Sequence, residues 1–379
     1  MQTKKRNMSA DVIRCFALFC VVSVHFLLNN GYYTRPVEGA RMFAMTLMRS
    51  FFIVCVPLFI TLSGYLLRKR ELNCKYYTRV FKIIVTYILC SLLCMLHSVV
   101  FLEETLTVKD VLLKLLGFTG APYAWYIEMY LGLFLIIPFL NILYNNIPSR
   151  KWKQALLATF IILTALPTVV NVYDFSSASW WLLPSALEGK TKLIPAWWSE
   201  VYPITYYFIG CYLGEYGFKM KKPLNIGLIA LCTGASGIYT FWRSYKGKFI
   251  WGDWCDYNSL FNIILTVLVF VFLININYDK VPKWMSVFIQ KLSGLCLGAY
   301  LLSWIFDKML YAVLEIHVTS VTRRLEYYFL IVPAVFVLSL MLSYLVSKIQ
   351  LFFNWIFSKI TSPFRKKKIK NEVKEEALR

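Results

Sequence analysis

The sequence predicts an all-α polytopic membrane protein of about ten transmembrane helices with both termini in the cytoplasm. Three observations carry this. The 379-residue chain is 59% hydrophobic and only 16% charged, with a mean hydropathy of +0.58, far from the soluble average. Apolar runs long enough to cross a hydrocarbon core, roughly 20 residues each, recur along almost its whole length. The 41 Lys and Arg against 20 Asp and Glu, net +21, would suggest nucleic acid on a soluble protein. Here they collect in alternate connections, and no nucleic-acid partner is expected.

The first span is expected over Ala10 to Leu28. It follows Lys4, Lys5 and Arg6, as a signal peptide would, but Asp11, Arg14 and His25 are foreign to an h-region and no small-residue cleavage site follows. It is therefore read as a span of the mature protein. The next four are Ala44 to Leu67, Phe81 to Leu102, Tyr126 to Tyr144 and Ala155 to Asn171. The sixth, Tyr202 to Glu215, is short for the task. Leu224 to Trp242, Asn258 to Ile276, Leu292 to Leu314 and Tyr327 to Val346 complete the set.

An even number of spans puts both termini on one side, and the positive-inside rule is met when that side is the cytoplasm. The inner segments then hold Lys4 to Arg6, Arg68 to Lys82, Arg150 to Lys153, Lys219 to Lys222, Lys280 to Lys291 and the basic tail from Lys348. The outer connections are nearly neutral. Omitting one helix would scramble the alternation from that point on. Residues 1–347 read as a single transmembrane domain in the cell's inner (cytoplasmic) membrane, and 348–379 as a cytoplasmic tail. Phe352, Phe353, Trp355 and Phe357 among its Lys and Arg suit an amphipathic helix on anionic membrane lipids, or a frayed helix end with a solvated basic tail.

All of the 10 cysteines except Cys255 fall within or on the inner side of the spans, and no CxxC pair occurs. Neither a disulfide framework nor a metal site is expected. The chain has no internal repeat, P-loop or dinucleotide fingerprint.

Ionisable groups within a membrane helix are costly and point to function. The first span carries three. Arg14 and His25 are about three turns apart, on one face and roughly 16 Å apart along the axis. Asp11 lies one turn below Arg14 on that face. Together they draw a polar stripe from the inner mouth toward the outer half of the bilayer. The bland alternative is a structural Asp11–Arg14 ion pair with His25 as an interhelical hydrogen-bond partner.

At these residues a resemblance emerges. Asp11-x-x-Arg14, with His25 further along the same helix, is followed by the second-span segment from Pro57 to Leu67, PLFITLSGYLL. The pair resembles the bacterial membrane acyltransferase family 3, the O-acyltransferases of surface glycans. The segment Tyr76 to Lys82, Ala124 to Ile127, Pro138, Tyr206 to Leu213 and Leu292 to Leu302 are similar to later family segments in the same order. Two departures stand out: the family's RxxR is Arg79-x-x-Lys82, losing one guanidinium fork, and Ser303 stands where many members have a second histidine.

The resemblance implies acyl transfer, usually acetyl, from cytoplasmic acyl-CoA to a hydroxyl of an extracytoplasmic glycan or lipid-linked glycan. Arg14, Arg79 and Lys82, helped by Lys69 and Arg70, would hold the phosphate-rich donor, with Arg79 and Lys82 three apart and so on one helix face. His25 would meet the acceptor, either as general base, since an unperturbed imidazole titrates near pH 6.5, or through an acyl-histidine intermediate. Glu128 would orient His25 or bind a sugar hydroxyl, unless it is a hydrated interfacial residue. Asp11 joins the candidate catalytic set, and Trp125 and Tyr126 the acceptor contacts. Ser63 and Gly64 would expose backbone to the donor or let helices approach closely; a nucleophilic Ser63 has no evident base. Trp180, Trp181, Trp197 and Trp198 suit sugar faces or an interfacial belt. His97 and His317 have no partner at ligand spacing. Two competing classes are a transporter or flippase with a buried ionisable path and a lipid-linked glycan polymerase, whose large outer loop is not evident.

Overall fold

The protein is described from a computed structural model covering residues 7–182, 184 and 190–351. These residues are helical throughout, with no strand beyond one isolated bridge between Val37 and Tyr245. The helices are α1 (Met8–Asn29), α2 (Gly39–Phe52), α3 (Cys55–Leu67), α4 (Cys74–Tyr77), α5 (Val80–Phe101), α6 (Val108–Leu116) and α7 (Trp125–Asn145). Then follow α8 (Arg150–Thr164), α9 (Pro167–Val170), α10 (Ala178–Leu182), α11 (Tyr202–Tyr216), α12 (Lys222–Ser244), α13 (Leu260–Ile274) and α14 (Lys283–His317). A last helix, α15, runs over 328–351. Of the expected tail, 348–379, residues 348–351 continue α15 and residues 352–379 lie outside the described residues.

Among the described residues, nine helical stretches are long and apolar enough to cross a membrane. They match nine of the ten expected spans. The second is broken at Ile53 and Val54 into α2 and α3, just ahead of Pro57, which lacks the N–H an uninterrupted helix would use. The sixth expected span is α11, whose 15 residues reach about 22 Å at 1.5 Å per residue, short of a hydrocarbon core of about 30 Å. Its hydrophobicity has another cause. Tyr206, Tyr207, Phe208 and Cys211 are fully buried, so α11 is a core helix wrapped by α3, α7 and α8.

That burial rests on two glycines. A Cβ on Gly64 of α3 would lie 2.0 Å from the Tyr207 carbonyl oxygen, and one on Gly210 of α11 would lie 2.0 Å from that of Thr61. The two helices cross backbone against backbone, the arrangement small residues permit in membrane proteins. Around this crossing, α1 packs on α14, α3, α2 and α13, and its Ile13, Ala17, Leu18, Cys20 and Val22 are shut from solvent.

The end of the bundle that holds Met8, the near end, also gathers the end of α3 and the starts of α5, α8, α12 and α14. Lys153 pairs there with Glu215 at 2.8 Å, and Asn145 donates to the Arg68 carbonyl. At the far end three buried arginines tie connections together. Arg49 donates to the Cys255 carbonyl (2.8 Å) and lies over the Phe249 ring. Arg243 donates to the Val172 carbonyl (2.6 Å) and lies over Trp254 and Trp180. Arg324 donates to the carbonyls of Asn30 and Val318, each at 2.8 Å. Short α6 is amphipathic, with Leu112, Leu113 and Leu116 exposed. Thr107 caps it, and its hydrogen bonds hold the Asp110 carboxyl below the ordinary carboxylate range.

The glycine crossing predicts a sharp contrast. Gly64→Leu or Gly210→Leu is expected to abolish a folded, monodisperse species in detergent. Gly132→Ala in α7, where nothing lies within 4 Å, is expected to be neutral or to stabilise by up to about 1 kcal/mol through helix propensity, as read by thermal unfolding.

Candidate active site

The α1–α14 seam carries a polar cluster at each end. Near the start of α1, Asp11 is buried and accepts a hydrogen bond from Ser293 Oγ of α14 at 2.7 Å. Arg14 Nη1 lies 3.3 Å from both Asp11 Oδ1 and Ser293 Oγ. The arginine is thus held at its base by two helices, while its side chain, 34% exposed, faces a cavity. Asp11, expected in the catalytic set, contacts Arg14 and lies about 21 Å along α1 from His25.

Farther along the same seam, His25 Nδ1 lies 3.6 Å from Asp307 Oδ2 of α14. This is electrostatic contact just beyond hydrogen-bond reach. The same carboxylate oxygen accepts from Tyr123 Oη at 2.8 Å, and the Tyr123 ring lies against the imidazole with centroids 3.9 Å apart. Asn29 donates to the Tyr123 hydroxyl oxygen and to the His25 carbonyl. Asp307 is fully buried and its Oδ1 has no hydrogen-bond partner. A buried carboxylate left partly unsatisfied is costly, and such sites cluster where chemistry is done.

A cavity of about 1310 Å³ opens between α1, α3, α5, α7, α14 and α15. Its near end has Lys82, Lys291 and Lys348, with Arg14 on its wall; its flank has Phe59, Ser63 and Tyr130; its far limit is at Val21, Tyr126 and Tyr300. An aromatic ladder runs beside it, with Tyr126, Tyr130 and Tyr300 on the cavity wall. Tyr76 stacks on Phe134 (4.3 Å), which neighbours Tyr130, then Tyr126 (5.7 Å from Tyr130), then Tyr300 (5.8 Å from Tyr126). A smaller cationic hollow of about 290 Å³ lies beside it, formed by Lys69, Arg70, Lys75, Tyr76, Arg79 and neighbours.

Several expectations need correcting against this geometry. Glu128 is exposed on the first turn of α7; among the described residues the carboxylate facing His25 is Asp307. Sequence reading missed Asp307 although the signal was present, a lone acidic residue inside an apolar span. Gly64 does not face the cavity, because its Cα is pressed against α11; Ser63 does face it, donating to the Phe59 carbonyl at 2.9 Å. Arg79 and Lys82 line different hollows. The helix starts at Val80 with Arg79 as its cap, so Lys82 lines the large cavity and Arg79 the small hollow. Tyr126 closes the cavity, while Trp125 is part-exposed and packs its ring 5.5 Å from Tyr257. Trp180 is buried beneath Arg243, whereas Trp197 is exposed. His97 is buried against Trp304. Among the described residues no three His, Cys, Asp or Glu side chains converge as a metal would require.

A membrane-embedded His–Asp pair beside a cation-lined cavity is equipped to move a proton next to a bound anionic ligand. A family model described as an acyltransferase domain matches residues 7–348. The chain belongs to acyltransferase family 3, and its class is that of multi-pass membrane acyltransferases. No curated protein and no solved structure matches it.

The far cluster predicts coupling. A double-mutant cycle on Tyr123→Phe and Asp307→Asn, read by thermal unfolding in detergent, is expected to give an interaction energy of roughly 0.5–3 kcal/mol. The same cycle between Tyr123 and Asp11 should give about zero, since Asp11 lies about 21 Å along α1 from His25, on which Tyr123 stacks.

Proposed function

We propose that the protein is an O-acyltransferase that moves an acyl group, acetyl in the simplest case, from acyl-CoA on the cytoplasmic side to a hydroxyl of an extracytoplasmic or cell-surface glycan. The observation that carries this reading is the alignment of Arg14, the cavity and the His25–Asp307 pair along one seam. In this reading the near end faces the cytoplasm of a cell's inner membrane, as the basic connections favour. Phosphate groups of the donor meet Lys82, Lys291 and Lys348, with the hollow around Arg70 and Arg79 beside them. The pantetheine arm then lies past Arg14 and along the tyrosine ladder toward His25.

With Nδ1 turned to Asp307, the free Nε2 of His25 takes the proton from the acceptor hydroxyl. That oxygen attacks the thioester carbonyl, the C–S bond breaks, and the imidazolium returns its proton to the departing CoA thiolate. Asp307 stabilises the imidazolium formed on the way, with Tyr123 holding the carboxylate in place. This geometry favours His25 as base. In this reading Asp307, 3.6 Å from the imidazole, takes the orienting part first expected of Glu128.

The test uses purified, reconstituted protein with radiolabelled acetyl-CoA and glycolipid extracted from the same membranes. Label is expected to pass to the glycolipid. His25→Ala should lower kcat by about 10²–10⁴-fold, the usual worth of a positioned base, with the unfolding profile retained. Arg14→Ala should chiefly raise the KM for acetyl-CoA. A His25→Ala protein that still acylates removes the assignment, and movement of glycolipid across the bilayer without label transfer favours a flippase.

A further inference from the structure

The donor cavity stops short of the imidazole. Val21 on α1 lies on its wall, while His25, one turn further, does not. What intervenes is a partition one ring thick. Tyr300 and Tyr126 meet edge to face with centroids 5.8 Å apart, and the Tyr300 ring lies 6.5 Å from that of His25. The Tyr300 hydroxyl donates to the Tyr123 carbonyl, tying the partition to the residue that stacks on His25. Both tyrosines are buried, at 5% and 8% exposure. Beyond them Asp307 is fully buried, and Phe26 and Tyr311 pack against each other with rings 5.9 Å apart.

We propose that Tyr126 and Tyr300 set the size of the acyl group this protein transfers. This rests on the reading of the cavity as the seat of an acyl-CoA arm. For the base at His25 to act, the thioester carbonyl must come within about 3–3.5 Å of the acceptor oxygen, which brings it to the plane of the two rings. The acyl substituent then lodges between the partition and the packed far side, where a methyl group fits and a chain of several methylenes meets ring atoms. Apolar pockets discriminate by about 10–200-fold per methylene, so two rings at this point suffice for a marked preference. The residues act by volume: the ring, not the hydroxyl, is the determinant. Ser63 and Tyr130 lie further back on the wall and do not enter this limit.

The experiment measures transfer from acetyl-, butanoyl- and octanoyl-CoA by the reconstituted full-length protein to the extracted glycolipid. Wild type is expected to prefer acetyl. Tyr126→Ala and Tyr300→Ala are expected to raise the octanoyl-to-acetyl ratio of kcat/KM by at least about 10-fold. Tyr300→Phe, which keeps the ring and loses the hydroxyl, should retain the wild-type ratio. Should an alanine variant fail to fold, Tyr126→Leu and Tyr300→Leu carry the test with a smaller rise. Unchanged ratios in folded alanine or leucine variants overturn the proposal while leaving the acyltransferase reading intact. Wild-type protein that transfers from none of the three donors overturns that reading and the proposal together.

Discussion

The packing of α1 along α14 is the contact from which the rest of the molecule takes its arrangement. Both helices run from the near end to the far end, and their seam joins Asp11 and Arg14 to Ser293, then His25 to Asp307. Ionisable groups in a low-dielectric interior are tolerated only with partners fixed in place. α1 itself supplies Asp11 to Arg14, but Ser293 and Asp307 come from α14. The seam therefore determines the relative rotation and register of the two helices, and the cavity wall formed by Val21, Cys296 and Tyr300 follows from that register.

A second packing device supports the first. The glycine crossing of α3 and α11 lets a short helix fill the core without a span's length, and α3 in turn packs on α1. Phe59 and Ser63 then point from α3 into the cavity opposite α14. Tyr126 and Tyr130 of α7, spaced four apart, line another side because that spacing keeps them on one face, and α5 and α15 complete the wall.

Much of this was legible in the sequence. Length of apolar run and alternation of charge locate α1, α5, α7, α12 and α15 to within a few residues. The face shared by Arg14 and His25 also follows directly from helical periodicity. What periodicity does not contain is contact between distant segments. Asp307 was visible as a lone acid in an apolar helix, but its meeting with His25 depends on how α14 lies against α1. Gly64 reads in sequence as a close-packing position before a donor-facing one, and α11 is the neighbour it packs against. Arg79 and Lys82 sit one turn apart at the start of α5, yet they line different hollows, which spacing alone does not contain. Glu128 was favoured by its neighbours Trp125 and Tyr126, yet one residue changes direction by roughly 100° in a helix, enough to turn it to the surface.

The three buried arginines at the far end bear on how this protein acquires its final shape. Arg49, Arg243 and Arg324 each donate to backbone carbonyls from other segments, and Arg49 and Arg243 also lie over aromatic rings. Cys255 stays a free, buried thiol among them. Guanidinium groups remain charged at any physiological pH, and their bonds form as soon as the segments meet. The connections at this end can thus be completed during membrane insertion without an oxidant or a disulfide-exchange enzyme. None of these ties is a disulfide, so none of them is broken by a reductant.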